Sequence, residues 1–265
     1  MNPIQCTARV VTNVPLGDDF FSMTASCPEI AADCRPGQFA MVDTGANHVP
    51  YVKRPLAIAA SDARTGTLRF IYRAVGTGTR LLSHMESRRA FTIVGPLGNG
   101  YAAPPAKSTV LLVAGGVGLS SLLSLLPLLQ GLGCESHFVL GARNQGGLIC
   151  LDELQALGAQ VSVSTEDGSA GYHGFPTPVV QKLLAGQAFG MAYICGPEPM
   201  MRAVAGPVVA AGVPCQVSLE RRMGCGIGVC VGCSCKLNDP ERGLVQKRVC
   251  KDGPVFNAKE VVWNG

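Results

Sequence analysis

The first hundred residues alternate short apolar runs with clusters of glycine, proline and aspartate. Such runs are typical of strands, and the segment shows little helical periodicity. Six strands are predicted, at 6–12, 20–26, 38–42, 54–60, 67–75 and 91–94. Short strands at this spacing favour a small antiparallel β-barrel.

Beyond Pro104 and Pro105 the pattern changes to strands that alternate with helical segments. Strands are predicted at 109–114, 137–140, 160–164 and 191–195, and helices at 119–129, 151–157, 179–184 and 198–211. This alternation is typical of a doubly wound α/β unit with a parallel sheet. From Cys215 onward glycine and cysteine dominate, and no helix of useful length is predicted.

The chain therefore divides into three predicted domains. They are a β-barrel at 1–103, a nucleotide-binding α/β domain at 104–214 and a small cysteine-rich domain at 215–265. A length of 265 residues suits two or three domains of ordinary size.

The composition excludes intrinsic disorder, because 47% of the residues are apolar and only 15% are charged. Glycine is abundant, at 33 residues without a collagen-like period, which indicates tight turns and binding loops. The net charge of +4 comes with no basic run, so nucleic acid is not expected as a partner.

A stretch without charged residues, 108–134, raises the question of a membrane span. Pro127 and several glycines interrupt it, so we expect a buried strand, a turn and a helix, and no membrane. The first residues contain no apolar signal segment, and a cytoplasmic location is expected.

Five of the twelve cysteines fall between Cys225 and Cys250. The spacing Cys225-x4-Cys230-x2-Cys233 with a later Cys250 matches the plant-type [2Fe-2S] pattern. Neighbouring glycines would let the backbone wrap a cluster and direct N–H groups at its sulfurs. A structural zinc site is the alternative, although it more often pairs two C-x2-C knuckles. Cys235 is predicted to be a buried cysteine that does not ligate the metal.

Two glycine turns follow predicted strands of the α/β unit. Gly115, Gly116 and Gly118 end one strand, and Cys195-Gly196 ends another. Glycines let the backbone approach a pyrophosphate, and ligands of open α/β sheets bind at this edge. The alternative interpretations are a turn needed only for packing and, for Cys195, a thiol of the core.

The barrel carries two short motifs that could hold an anion. Arg54 could clamp one, and Gly76-x-Gly78-Thr79 could open a helix at 79–85 beside a phosphate. The alternative for Arg54 is a solvated surface charge. His48, His84, His137 and His173 show no metal-ligand spacing.

Taken together and in this order, these motifs resemble the ferredoxin-reductase superfamily. Segments 219–233 and 249–256 are similar to the electron transfer subunits of dihydroorotate dehydrogenase B, and 166–169 and 195–197 fall where that family has similar segments. The resemblance implies an FAD-binding barrel, an NAD-binding domain and a [2Fe-2S] domain.

The resemblance also assigns candidate site residues. Those expected to contact FAD are Arg54, Pro55, Leu56, Ala57, Ile71, Tyr72, Arg73, Gly78 and Thr79. Those expected to ligate iron are Cys225, Cys230, Cys233 and Cys250, while the glycine turns described above place Gly115, Gly116, Gly118, Cys195 and Gly196 near the nucleotide. Two departures from the family are Ala57, where a hydroxyl residue is usual, and Ser120-Ser121, where prolines are frequent. We expect the first to cost a flavin hydrogen bond and the second to leave the helix start less rigid.

The implied function is a relay of electrons in pyrimidine biosynthesis. Dihydroorotate would be oxidised at FMN in a separate catalytic subunit, in a heterotetramer of two plus two chains, and electrons would pass through [2Fe-2S] and FAD to NAD+. FAD is required by this logic, because a cluster moves single electrons and a nicotinamide takes a hydride. The C-terminal domain is expected to dock the partner, and the chain alone should not oxidise dihydroorotate.

Two other functions stay open from the residues. The same cofactors would serve an NAD(P)H-dependent reductase for a ferredoxin or an oxygenase, and a zinc-stapled binding module would have no redox activity. Arg143, just after a predicted strand, could pair with a 2′-phosphate and favour NADP, whereas the family implies NAD.

Overall fold

A computed structural model of the chain describes residues 3–44 and 50–263, so His48 lies outside the described residues. The N-terminal part is a closed barrel with the strand order β1-β2-β5-β4-β3-β6, in which every neighbouring pair is antiparallel. Its strands are β1 (Ile4–Gly17), β2 (Phe20–Ser26), β3 (Phe39–Val42), β4 (Arg54–Asp62), β5 (Thr67–Arg73) and β6 (Ala90–Leu97), with helices α1 (Pro28–Ala31) and α2 (Thr77–Ser83). The predicted antiparallel barrel is confirmed.

Alternating side chains fill the interior of this barrel. Met23 and Phe70 face each other across β2 and β5, and both are fully buried. Ala8 and Val10 of β1 point to the same interior. Closing the barrel removes the free edges that β1 and β6 would otherwise expose.

The second part is a seven-stranded sheet with the order β10-β9-β8-β7-β11-β12-β15. Its strands are β7 (Thr109–Gly115), β8 (Glu135–Ala142), β9 (Gln160–Thr165), β10 (Tyr172–His173), β11 (Met191–Cys195), β12 (Cys215–Ser218) and β15 (Val255–Asn257). The helices are α3 (Leu119–Leu123), α4 (Leu126–Gly131), α5 (Leu151–Ala156), α6 (Pro176–Gly186) and α7 (Glu198–Ala210). All pairs are parallel except β12 with β15, which confirms the parallel, doubly wound unit.

The helix predicted at 119–129 differs from the structure, which has two short helices, α3 and α4. Pro127 occupies the first turn of α4. Since proline lacks an N–H and clashes with the preceding turn, it suits a helix start and not a helix interior. Within residues 3–44 and 50–263, every helix is too short or too polar to cross a membrane.

The remaining elements are β13 (Ser234–Asp239), β14 (Gly243–Arg248) and α8 (Val249–Asp252), and β13 and β14 form a separate hairpin. Two strands from the segment predicted as a cysteine-rich domain, β12 and β15, instead complete the parallel sheet. Runs of four and three residues are too short to show a period in the sequence. The domain boundaries at 103/104 and 214/215 stay predictions, and the second falls between two adjacent strands of one sheet.

Polar contacts fix the barrel against the sheet. Arg69 of β5 forms an ion pair with Glu153 of α5 and donates from Nε to Ser22 Oγ at 2.9 Å. Ser120 Oγ of α3 donates to the Ala57 carbonyl of β4 at 3.1 Å. The two parts therefore have a defined mutual position.

Gly118 is a packing constraint, because a Cβ there would collide with the Cys195 carbonyl. We expect Gly118→Ala to lower the free energy of unfolding by roughly 1–3 kcal/mol, as overpacking does. Gly131 lies exposed at the end of α4, and a Cβ added there would meet open space, so Gly131→Ala should raise that free energy by about 0.5–1 kcal/mol. Urea unfolding of the cofactor-loaded protein measures both changes, and equal stability of the two variants would contradict the packing argument.

Candidate functional site

A cavity of about 270 Å³ lies between the barrel and the sheet, where β4 and β5 face the start of α3 and the end of β11. We call it the barrel cavity. Eight predicted site residues line it, namely Pro55, Leu56, Ala57, Ile71, Tyr72, Arg73, Thr79 and Cys195. Strand pairing brings the β4 and β5 segments together, although about fifteen residues separate them in the sequence.

Two arginines near the barrel cavity have polar atoms without a partner. The buried Nε atoms of Arg54 and Arg73 form no hydrogen bond among the described residues. Arg54 Nη2 donates to the Val52 carbonyl, and Arg73 pairs with Asp19 at 3.5 Å. Arginine groups with donors to spare suit an anionic ligand such as a diphosphate.

Gly78 does not line the cavity, but it makes room for Arg54. A Cβ at Gly78 would lie 2.9 Å from both Cδ and Nη1 of Arg54. Thr79 Oγ1 accepts the N–H groups of Val75 and Gly76, each at 3.1 Å. These contacts shape the turn before α2, which starts at Thr77 and not at residue 79 as predicted.

The two serines that depart from the family pattern are both buried at the cavity wall. Ser120 Oγ donates to the Ala57 carbonyl, and Ser121 Oγ shares a 2.9 Å hydrogen bond with the Tyr101 hydroxyl. The structure thus differs from the expected less rigid helix start, because these bonds tie α3 to the barrel and to Tyr101. Ala57 has no hydroxyl to offer a ligand, whereas the hydroxyls of Ser120 and Ser121 lie on the facing wall.

Cys195 is a thiol at the cavity wall with little solvent contact. Burial, followed by the nearby Glu220 carboxylate, raises the pKa of Cys195 well above its usual range. Desolvation also raises the pKa of Glu220, which lines the same cavity. Sequence reasoning missed Glu220 and Ser218 as wall residues, because the strand β12 that brings them there was not predicted.

A second cavity, of about 880 Å³, lies at the carboxyl ends of β7, β8 and β9, and we call it the sheet-edge cavity. Gly115 and Gly116 of the glycine turn line it, and their contact with a nucleotide stays a prediction. Gly118 and Gly196 do not line it. They permit close packing instead, since a Cβ at Gly196 would lie 2.8 Å from Met200 Cε.

The charged rim of the sheet-edge cavity contains Arg143, Glu166 and Asp18. Arg143 follows β8 and Glu166 follows β9, whereas Asp18 comes from the turn between β1 and β2 of the barrel. No motif marked Asp18, because the approach of the barrel turn is a tertiary contact. Arg73 also lines this cavity, so its two carboxylates, which would repel the extra phosphate of NADP, are matched by two guanidiniums, which would attract it.

The four clustered cysteines lie in two pairs. Cys225 and Cys230 bracket the loop 225–230, and Cys250 at the start of α8 faces Cys233. Backbone N–H groups point at the sulfurs: Val229 and Cys230 donate to Cys225 Sγ at 3.3 and 3.4 Å, and Cys250 donates to Cys233 Sγ at 3.4 Å. We call residues 224–233 the cluster loop.

The donor set fits a binuclear cluster better than a single ion. A zinc ion with four thiolates at about 2.3 Å requires sulfurs about 3.8 Å apart. In the part of the chain that the structure describes, no three of these four Sγ atoms lie within 4.8 Å of one another. A bridged pair of irons spreads its thiolates wider, with two on each iron. The pairing Cys225–Cys230 and Cys233–Cys250 suits that arrangement.

The environment of Cys225 favours the thiolate form of its side chain. Burial raises its pKa, but the N–H groups of Cys230, Ile227 and Val229 outweigh burial and lower it to about 6. Positive φ angles of 72° at Gly226 and 84° at Gly228 turn these groups inward. Only glycine adopts such angles without strain, and a Cβ at Gly226 would also collide with Met41 of the barrel.

The three regions are in contact with one another. Arg73 lines both the barrel cavity and the sheet-edge cavity. Met223, two residues before Cys225, lines the barrel cavity, and Gly226 packs on Met41 of β3. The barrel cavity therefore lies between the cluster loop and the sheet-edge cavity.

Two matches to protein families cover the second half of the chain. Residues 112–206 match the oxidoreductase NAD-binding domain, and residues 220–262 match the iron-sulfur cluster binding domain of dihydroorotate dehydrogenase B.

Relatives match over nearly the whole chain. A dihydroorotate dehydrogenase B (NAD(+)) electron transfer subunit of Desulforamulus reducens is 34% identical over 256 residues, covering 97% of each chain. That of Geobacillus kaustophilus is 40% identical over 230 residues, covering 86% of this chain and 87% of the relative.

Solved structures give the same fold. A chain of an NADH-dependent reduced ferredoxin-NADP oxidoreductase superposes with a TM-score of 0.86 at 32% identity, covering 97% of this chain and 90% of the other. The ferredoxin reductase of carbazole 1,9a-dioxygenase superposes with a TM-score of 0.68 at 21% identity, covering 81% and 68%.

Cys233 and Cys235 are close in sequence and both buried, but Cys235 belongs to the β13–β14 hairpin. We expect Cys233→Ser to lose most of the iron, because a ligand of the cluster is removed, and Cys235→Ser to keep it. Iron and sulfide analysis with visible absorption spectra measures the difference. Equal iron loss in the two variants would show that the ligand set is wrong.

Proposed function

This chain belongs to the family of dihydroorotate dehydrogenase B (NAD(+)) electron transfer subunits, and we propose that it passes electrons from dihydroorotate, oxidised in a separate FMN-containing subunit, to NAD+. The near full-length relatives support this assignment. The reaction serves pyrimidine biosynthesis.

One observation carries the proposal, the position of the barrel cavity between the cluster loop and the sheet-edge cavity. Bound FAD exchanges single electrons with an iron-sulfur centre and a hydride with a nicotinamide. A site for FAD must therefore border both other sites, and the barrel cavity does so through Met223 and Arg73.

The residues that line the barrel cavity, together with Arg54 beside it, have two tasks toward FAD. The unpartnered donors of Arg54 and Arg73 neutralise a diphosphate. The segments Pro55–Leu56–Ala57 and Ile71–Tyr72 form an apolar wall that keeps water from the ring. Gly78 and Thr79 hold Arg54 and the preceding turn in place.

The sheet-edge cavity takes NAD. Gly115 and Gly116 allow close approach of the diphosphate to the backbone. Asp18 and Glu166 select against a 2′-phosphate by repulsion, which opposes the attraction expected from Arg143.

The partner subunit docks on the cluster loop. Three apolar side chains of this loop are unusually exposed: Ile227 at 45%, Val229 at 76% and Val231 at 58%. They surround Cys230, which is also exposed. Exposed apolar residues next to a redox centre are typical of an interface for electron transfer. We further propose a heterotetramer of two chains of each kind, located in the cytoplasm.

The test is coexpression with a dihydroorotate-oxidising FMN subunit and assay of dihydroorotate-dependent NAD+ reduction. Activity of the complex, with none from the chain alone, is expected. Val229→Asp should abolish coupling but preserve NADH-dependent dye reduction, which needs no partner. The control Leu244→Asp changes another exposed apolar residue, on β14, and should be active.

A second function is favoured by the solved NADH-dependent reduced ferredoxin-NADP oxidoreductase, at 32% identity. The chain would then exchange electrons with a ferredoxin. Ferredoxin reduction by NADH, at rates above those of the dihydroorotate assay, would favour this function over the first.

We predict that removing the acidic rim relaxes the choice of nucleotide. The double variant Asp18→Asn and Glu166→Gln should raise kcat/KM for NADPH in dye reduction roughly tenfold, since two repulsions of about 0.7 kcal/mol each disappear. Asparagine also tolerates the φ of 40° at position 18. The control Glu241→Gln, remote in the β13–β14 turn, should not change the ratio of NADPH to NADH. An unchanged ratio in the double variant would contradict the role of the rim.

A further inference from the structure

Seven cysteines lie outside the cluster region, and two of them are in contact. Cys6 Sγ and Cys27 Sγ are 3.0 Å apart, closer than two non-bonded sulfurs usually lie. Neither belongs to the barrel cavity, the sheet-edge cavity or the cluster loop. The proposed electron route does not use them.

The fold holds both thiols in place. Cys6 lies near the start of β1, paired with Ile93 of β6. Cys27 lies between β2 and α1, where its N–H donates to the Gly66 carbonyl at 2.8 Å and its own carbonyl accepts from Ala31 at 3.0 Å. The two sulfurs meet at one end of the barrel interior, so their contact does not depend on a mobile loop.

The surroundings of Cys6 and Cys27 favour the uncharged thiols over the thiolates. Burial, then the hydrogen bond with Cys27, raises the pKa of Cys6 to about 12, and burial raises the pKa of Cys27 as well. The nearest charged group is the Glu29 carboxylate, 3.9 Å from Cys27 Sγ. A metal ion would need both sulfurs as thiolates beside that carboxylate, whereas a disulfide carries no charge.

Access is unequal. Cys27 is fully buried, while Cys6 keeps partial contact with solvent. An external reagent therefore reaches Cys6 first, and Cys27 is placed to resolve the product. The thiolate is the attacking form, so the raised pKa of Cys6 makes the exchange slow near neutral pH and faster as the pH rises.

We propose that Cys6 and Cys27 are a redox-active dithiol that is oxidised to an intramolecular disulfide by low-molecular-weight disulfides. Cys6 attacks one sulfur of R–S–S–R, that S–S bond breaks, and the first R–SH leaves with the Cys6 proton. Cys27 then attacks Cys6 Sγ, gives up its proton to Glu29 or water, and expels the second thiolate, which is protonated. Two protein thiols are oxidised and one external disulfide is reduced to two thiols.

The experiment treats the cofactor-loaded full-length protein anaerobically with oxidised glutathione. Remaining thiols are alkylated in acid denaturant, and unreduced peptides are mapped by mass spectrometry. A peptide linking Cys6 to Cys27, two hydrogens lighter than its parts and released by reductant, is expected. Flavin and iron analysis of the same sample shows that the cofactors are intact.

Variants test the pairing. Cys6→Ser and Cys27→Ser should each abolish the link, and Cys27→Ser should leave glutathione on Cys6. Cys34→Ser changes another half-buried barrel cysteine, whose Sγ contacts the Arg35 carbonyl, and should keep the link. Two free alkylated thiols, a link to another cysteine, or bound zinc that Cys6→Ser removes would overturn the proposal.

Discussion

The position of the barrel on the carboxyl edge of the sheet is the constraint on which the site depends. Two contacts set it directly, the Ser120–Ala57 hydrogen bond and the Arg69–Glu153 ion pair, and a third, the packing of Gly118 under Cys195, places the helix that carries Ser120. The first two join the barrel to the helices of the sheet, and the third fixes the start of α3 against β11. Because none of the cavities belongs to a single layer, a shift between the layers would open all of them at once.

These polar contacts matter for stability because they are buried. Ser120 and Ser121 lie in the interior, where an unpaired hydroxyl costs about 1–3 kcal/mol. Their partners, the Ala57 carbonyl and Tyr101, are therefore required and not incidental. Arg54 and Arg73 are the opposite case. Their buried Nε atoms have no partner among the described residues, so an anionic ligand would supply the missing hydrogen bonds.

The sequence predicted the barrel, the parallel sheet and the four clustered cysteines, because each has a local signal. Alternation marked β2, a buried apolar run marked β7, and spacing marked Cys225, Cys230 and Cys233. It did not predict β12 and β15. Both strands are too short to show a period, and each is placed by its pairing with a neighbouring strand.

The site residues divide in the same way, into those that belong to a local motif and those that do not. Pro55, Tyr72 and Gly115 belong to motifs and line the expected cavities, whereas nothing local distinguishes Asp18 and Glu220 from other acidic residues. Gly78 and Gly118 leave room for Arg54 and Cys195, a packing role that needs coordinates, and their contact with a ligand stays a prediction.

The return of β15 to the sheet has a consequence for how this architecture can change in evolution. The iron-sulfur segment leaves the sheet after β12 and comes back antiparallel to it, so it is an insertion tethered at both ends. If a single crossover exchanged this segment between two proteins, the recipient would lose β15, the outermost strand of its sheet. Recombination must instead carry the β12–β15 unit as a whole.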